Sequence, residues 1–208
     1  MIRAILFDLD GILVDFADAH FQALNRALQE VCGRPVLPKD RNLYEGLSTR
    51  QKLVIMVAEG RIDAGSEDAI HRIKQENTVK LSAEQVAPDP VKTAMCRMLG
   101  GYKLGCVSNC VRASVDALLT GASLMRWMQV TVSNEDVTNP KPAPDPYLLA
   151  CLRLDVRPSE ALAVEDHQRG VRSAEEAGCH VVMMQYENVN LVRVKAALDG
   201  LKETRCFR

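Results

Sequence analysis

The chain has 208 residues, 47% hydrophobic and 25% charged, with 26 Lys plus Arg against 27 Asp plus Glu for a net charge of -1. A globule of this size buries roughly 70–75% of its unfolded-chain surface, and these near-average values exclude a disordered chain, a collagen-like repeat and a small disulfide scaffold. Balanced charge and 4% aromatic residues also argue against nucleic acid or an acidic membrane as the general partner, because a basic field and a stacking surface are both missing from the composition.

The opening segment, MIRAILFDLDG, sets carboxylates where a signal peptide needs its apolar stretch. Within it AILF (Ala4–Phe7) predicts a buried strand. Further apolar runs at Lys103–Val107, Gln129–Val132, Ala161–Val164 and His180–Met184 predict four more, near-continuous in apolar character as in a parallel sheet covered on both faces. Between the first strand and the second lies a long helical stretch, with patterns at His20–Val31, Arg50–Gly60 and Glu67–Leu81. About seventy residues of helix between two strands reads as a second domain rather than a crossover. The expected division is a core of residues 1–14 and 88–208 with an inserted helical domain at 15–87, hinged near Val14–Phe16 and Pro88–Pro90.

Helices are expected at Ala113–Leu119, Pro146–Arg153 and Gly170–Ala177. Asp145 is a candidate N-cap before Pro146, and Gly178 a helix stop. The stretch NLVRVKAALDGLKE near the C-terminus is a final helix with no assigned chemistry. This βαβα alternation predicts an α/β fold with a doubly wound parallel sheet. Seven cysteines (Cys32, Cys96, Cys106, Cys110, Cys151, Cys179, Cys206) form no CxxC and no zinc-spaced cluster, which fits reduced thiols in a cytoplasmic protein. The apolar run Leu53–Ala58 is too short to span a bilayer.

Four groups carry candidate chemistry, each at the end of a different predicted strand. Asp8 and Asp10 in FDLDG fall on the same side of an extended segment; they either close a turn or share a hard cation such as magnesium. Ser108 and Asn109 in SNC either cap a helix or face a ligand at the carboxyl end of the sheet. Lys141 lies in NPKPAPDPY, solvated or held rigidly to bind a phosphoryl oxygen. Glu165 and Asp166 end the fourth strand. Neither GxGxxG nor GxxxxGK[ST] occurs, which sets aside a dinucleotide or P-loop role.

In this order the four groups resemble the motifs of the haloacid dehalogenase-like phosphohydrolase superfamily, over Ile5 to about Met184 and including the helical cap after the first motif. The resemblance implies a Rossmann-like core and a magnesium-dependent phosphatase acting on a small phosphate ester, a sugar phosphate foremost. Asp8 would be the nucleophile that forms an aspartyl-phosphate, and Asp10 the general acid–base. Ser108, Asn109 and Lys141 would hold the phosphoryl oxygens. Magnesium would sit on Asp8, the Asp10 main-chain carbonyl and Asp166, with Glu165 in or beside the ligand set. The second aspartate favours phosphate esters over haloacids.

YEGLSTRQKL (Tyr44–Leu53) and RIKQEN (Arg72–Asn77) resemble cap segments of beta-phosphoglucomutase-like members, and Asp15 and His20 match them near the hinge. His20, Arg50 and Lys74 are thus the expected substrate residues of the cap. Departures are Thr49 where those mutases carry arginine, with Arg50 displaced by one, Phe16 in place of a small hydroxyl residue, and His167 where many relatives have serine. Mutase-like phosphoryl transfer is the alternative activity, and a non-catalytic binding protein on the same fold a third reading. A monomer or weak dimer is expected, without nucleic-acid or membrane partners.

Overall fold

The computed structural model describes residues 1–36, 38–44 and 47–203. Glu45 and Gly46 of the YEGLSTRQKL segment and Cys206 lie outside the described residues. Five strands, β1 (Ala4–Phe7), β2 (Lys103–Val107), β3 (Val130–Val132), β4 (Ala161–Glu165) and β5 (His180–Met183), pair in parallel in the order β3-β2-β1-β4-β5. Successive side chains of a strand point to opposite faces, and both faces of the central strands β1, β2 and β4 are dry. Ile5 and Phe7 join Leu104, Cys106, Leu162 and Val164 in one core, while Ala4 and Leu6 join Val107, Val130, Ala161 and Ala163 in another. That two-sided burial is why the strands read as unbroken apolar runs.

The helices are α1 (Ala17–Cys32), α2 (Thr49–Ala58), α3 (Glu67–Gln85), α4 (Pro90–Met98), α5 (Arg112–Gly121), α6 (Asp145–Arg153), α7 (Gln168–Glu176) and α8 (Leu191–Glu203). A third buried cluster, including Leu24, Leu28, Leu53, Met56, Ile70 and Ile73, is drawn from α1, α2, α3 and their connections. Ser48 starts α2 with a reciprocal capping box, its hydroxyl accepting from Gln51 N while its own N–H donates to Gln51 Oε1 at 2.9 Å. Asp89 caps α4 in the same spirit, accepting from Val91 N and Lys92 N with Pro90 at the first helical position. Gly178 (φ +86°) follows α7 as the sequence predicts.

Asp145 is not the N-cap of α6. The chain already turns at Pro144 (φ -72°, ψ -16°), which places Asp145 inside the first turn. Its carboxylate instead accepts from Asn139 Nδ2 at 3.0 Å.

Register fixes where the sheet delivers its polar residues. Phe7 stands opposite Cys106 on one side and Val164 on the other, so Asp8, Val107 and Glu165 emerge together at the carboxyl edge. The strand order reverses beside β1, with β2 and β3 to one side and β4 and β5 to the other; open α/β sheets bind ligands at such a switch point. Among the described residues no helix is long and apolar enough to cross a membrane.

Candidate active site

Lys141 reaches this edge from the loop after β3. Its ammonium donates to Asp8 Oδ1 at 2.9 Å, to Glu165 Oε1 at 2.5 Å and to the Val107 carbonyl at 2.8 Å. Lys141 is 4% exposed and Glu165 1%. Burial alone would lower the lysine pKa, but the charges of Asp8 and Glu165 outweigh it and raise the group above an ordinary lysine. Glu165 is pushed up, first by burial and then by the Asp8 charge, against the donors Lys141 and Tyr147. Tyr147 is fully buried on α6 and its hydroxyl donates to Glu165 Oε1. Nothing in the sequence singles that tyrosine out, because its role depends on α6 packing against β1, β2 and β3.

Asp8, Glu165 and Asp166 bring carboxylate oxygens within 4.8 Å of one another. Three carboxylates against one ammonium leave a formal excess of negative charge, and the donors are all hard oxygens. That set fits a small divalent cation of the magnesium type. Two glycines make room for it. Gly11 has φ +81°, and a Cβ there would fall 2.0 Å from Asp166 Oδ2. At Gly170 a Cβ would fall 2.1 Å from the Glu165 carboxyl carbon. Any side chain at either position would displace an acid of the cluster.

Asp10 turns the other way. Its Oδ1 accepts from Phe16 N at 2.8 Å and its Oδ2 lies 3.8 Å from His20 Nε2. Burial first, then the charges of Asp8, Asp166 and Asp15, push Asp10 up to about 7 against the Phe16 N–H. His20 packs edge-on against Phe16, with ring centroids 5.1 Å apart. Its Nδ1 lies 3.4 Å from Lys74 Nζ and its Nε2 3.4 Å from Cys110 Sγ. Burial, then the neighbouring Lys74 and Lys52 charges, hold His20 well below its ordinary value. Burial likewise brings Lys74 down to about 8; Lys52 adds to the effect while Cys110 and Asp10 oppose it.

These residues line one cavity of about 350 Å³, in which Asp8, Asp10, Ser108, Asn109, Lys141, Glu165 and Asp166 meet His20 and Lys74. Ser108 is buried, and its hydroxyl accepts from Cys110 N at 3.1 Å. Arg50 is not brought to this cavity. It lies 65% exposed on α2 and pairs with Asp68 at 3.1 Å. On that helix Thr49, Leu53 and Met56 form the buried face, and the residue after Thr49 is rotated away from it. Thr49 lines the cavity and accepts from Gln75 Nε2 at 3.4 Å. Lys52 also lines it and was not singled out by sequence. His167 caps α7, its Nδ1 accepting from Arg169 N at 3.2 Å; imidazole there does the capping work of a hydroxyl.

Residues 5–184 match the family described as haloacid dehalogenase-like hydrolase. The phosphoglycolate phosphatase of Nitrosospira multiformis is 30% identical over 194 residues, covering 89% of this chain and 84% of that protein. The beta-phosphoglucomutase of Bacillus subtilis is 26% identical over 192 residues, covering 86% and 82%. Among solved structures, CbbY from Rhodobacter sphaeroides in complex with phosphate superposes with a TM-score of 0.78 at 28% identity, covering 89% of this chain and 87% of that one.

Proposed function

Because the chain belongs to the haloacid dehalogenase-like hydrolase family, we propose that it is a magnesium-dependent phosphatase that hydrolyses a small phosphorylated metabolite through a phosphoaspartate at Asp8. The observation that carries this reading is the ammonium of Lys141 held between Asp8 and Glu165, beside Asp166 and at the ends of three parallel strands. A phosphate dianion approaching a carboxylate nucleophile needs positive charge and fixed donors at that point.

Asp8 attacks phosphorus, and the bond to the ester oxygen breaks as Asp10 passes its proton to the leaving alkoxide. Asp10, then ionised, takes a proton from water; the hydroxide displaces the Asp8 carboxylate from phosphorus and releases inorganic phosphate. The Phe16 N–H on Oδ1 orients Asp10 between these two steps. Ser108 and Lys141 hold the phosphoryl oxygens, with Asn109 at the same end of the cavity. Asp8, Asp166 and the Asp10 main-chain carbonyl would hold magnesium, with Glu165 in or beside that set. When bound, the ion screens nucleophile from phosphate and orients both.

Residues 15–87 are read as a cap over a core of 1–14 and 88–208, hinged near Val14–Phe16 and Pro88–Pro90 and enclosing the substrate through His20 and Lys74. Relatives named phosphoglycolate phosphatase and beta-phosphoglucomutase, and a CbbY variant solved with xylulose-(1,5)bisphosphate, support a small phosphate ester, with sugar phosphates first in line. A cytoplasmic location is part of the same reading. Phosphoryl transfer of the mutase type is the second reading. Thr49, buried and engaged by Gln75, favours hydrolysis, since a mutase needs a second phosphate site where its relatives carry arginine.

The test is phosphate release from sugar phosphates, phosphoglycolate and nucleotide monophosphates, for wild type and Asp8→Asn, with magnesium and with chelator. Turnover lost in both the variant and the chelator supports the reading. Activity surviving Asp8→Asn overturns it, and isomerisation of a hexose monophosphate only with added bisphosphate would move the assignment to the mutase.

A further inference from the structure

We propose that Asn109 acts on the reaction through Lys141, its carboxamide serving as a clamp on the lysine main chain rather than as a ligand of the phosphoryl group. Asn109 Oδ1 accepts from Lys141 N at 3.0 Å, and Asn109 Nδ2 donates to Lys141 O at 3.0 Å. One side chain therefore engages both main-chain polar groups of one residue, 32 positions away in sequence. The orientation of the amide is set by complementarity: flipping it would put N–H against N–H and oxygen against oxygen.

The clamp is itself braced. Asn134 Nδ2 donates to the Asn109 carbonyl at 2.9 Å, and Asn134 N donates to the Cys110 carbonyl at 3.0 Å. Asn134 does not line the cavity, so its influence on substrate has to pass through the Ser108–Cys110 turn. Lys141 is thus gripped at both ends, its main chain by Asn109 and its ammonium by Asp8, Glu165 and the Val107 carbonyl. A lysine side chain is long and rotamer-rich. Fixing its main chain decides where the ammonium lands, and a displacement of about 1 Å in such a group costs roughly a hundredfold in rate. Asn109 is a positioning residue in this account, and its kinetic consequence rests on the phosphatase reading above.

Two readouts test the clamp. In the kinetic arm, Asn109→Ala and Asn134→Ala are each made in wild type and in Lys141→Ala, and hydrolysis of p-nitrophenyl phosphate is followed. Asn109→Ala is expected to lower kcat/KM by about 10–100-fold in wild type, with Asn134→Ala weaker in the same direction. In the Lys141→Ala background each should change the rate by less than about twofold. An Asn109→Ala loss that multiplies in full onto Lys141→Ala would show an independent contact with substrate and overturn the proposal.

The second arm needs no activity. Lysine acetylation by acetic anhydride, read by peptide mass spectrometry without magnesium, should rise several-fold at Lys141 in Asn109→Ala. Lys92 is the internal reference, 3% exposed and donating to the Tyr186 and Val189 carbonyls at 2.8 Å each; its labelling should not move unless the whole chain unfolds. Unchanged labelling at Lys141 would also overturn the clamp. If wild type releases no phosphate, the phosphatase reading fails and the labelling arm still decides the clamp.

Discussion

Replacing Lys141 by alanine strands two carboxylates. The lost ammonium lies 2.9 Å from Asp8 Oδ1, 2.5 Å from Glu165 Oε1 and 2.8 Å from the Val107 carbonyl. Glu165 is only 1% exposed, so its carboxylate loses a buried partner, and breaking a buried pair of this kind costs about 3–5 kcal/mol. At about 2–4 °C per kcal/mol for a chain of this length, Tm should fall by roughly 6–20 °C. Activity should fall by about a hundred- to a thousandfold, the usual cost of removing one group that stabilises developing negative charge. The assay is thermal unfolding in chelator, so that no metal ion substitutes for the ammonium, together with phosphate release in magnesium. Adding Glu165→Gln removes the more deeply buried carboxylate charge while leaving an acceptor for Tyr147. The double variant should regain most of the lost Tm and none of the lost activity. A Tm within about 2 °C of wild type for Lys141→Ala, which is at most about 1 kcal/mol, would refute the reasoning. So would a double variant no more stable than the single one.

Gly11→Ala should weaken magnesium affinity by about 10–100-fold, because the added Cβ falls 2.0 Å from Asp166 Oδ2 at a backbone φ of +81°; isothermal titration with magnesium measures it, and unchanged affinity would place Asp166 outside the ligand set. Tyr147→Phe removes the hydroxyl bonded to buried Glu165 and should cost about 1.5–3 kcal/mol in urea unfolding. Asp136 gives a pH signature. Burial would raise its pKa, but the Ser133 hydroxyl and N–H, then Arg153 and Arg112, outweigh that and bring it down to about 2. A depressed carboxyl stabilises above its ordinary range and loses the contribution as pH falls through the folded value. Asp136→Asn should therefore destabilise by about 1 kcal/mol at pH 6, after allowing for solvent screening, and the difference from wild type should shrink as pH falls from about 5 toward 2.

Much of this fold was legible in the chain because its central strands β1, β2 and β4 are dry on both faces and its helices are not. Lys103–Val107 and Ala4–Phe7 match their expected bounds, since an unbroken apolar run between turn signals leaves little freedom in placing a short parallel strand. The carboxyl-edge cluster was legible for a related reason: Asp8, Ser108 and Glu165–Asp166 stand where apolar runs stop, and Lys141 lies in a proline-rich loop. Lys74 is reached only through the resemblance of its segment to mutase-like caps; in the structure it shares the buried face of α3 with Ile70, Thr78 and Leu81. The place of Arg50 was not legible. Whether residue 49 or residue 50 faces the cavity depends on how α2 is rotated on its neighbours, and a local pattern does not hold that rotation. Tyr147 and the Asn109 carboxamide were equally hidden, because each acquires its partner only when distant segments dock. Asp145 shows the limit of capping signals, since the helix cap falls one residue earlier at Pro144 and the carboxylate bonds Asn139 of its own loop.

The central claim is that Asp8 itself carries the phosphoryl group, and borohydride trapping tests it most directly. Wild type turning over its best substrate in magnesium is quenched with borohydride, which reduces an acyl phosphate but not a free carboxylate, and the peptide containing Phe7–Gly11 is read by mass spectrometry. The account predicts reduction at Asp8 alone, dependent on both substrate and magnesium and abolished by Asp8→Asn. Steady turnover with Asp8 left unreduced, or with the trapped group on another residue, would contradict it.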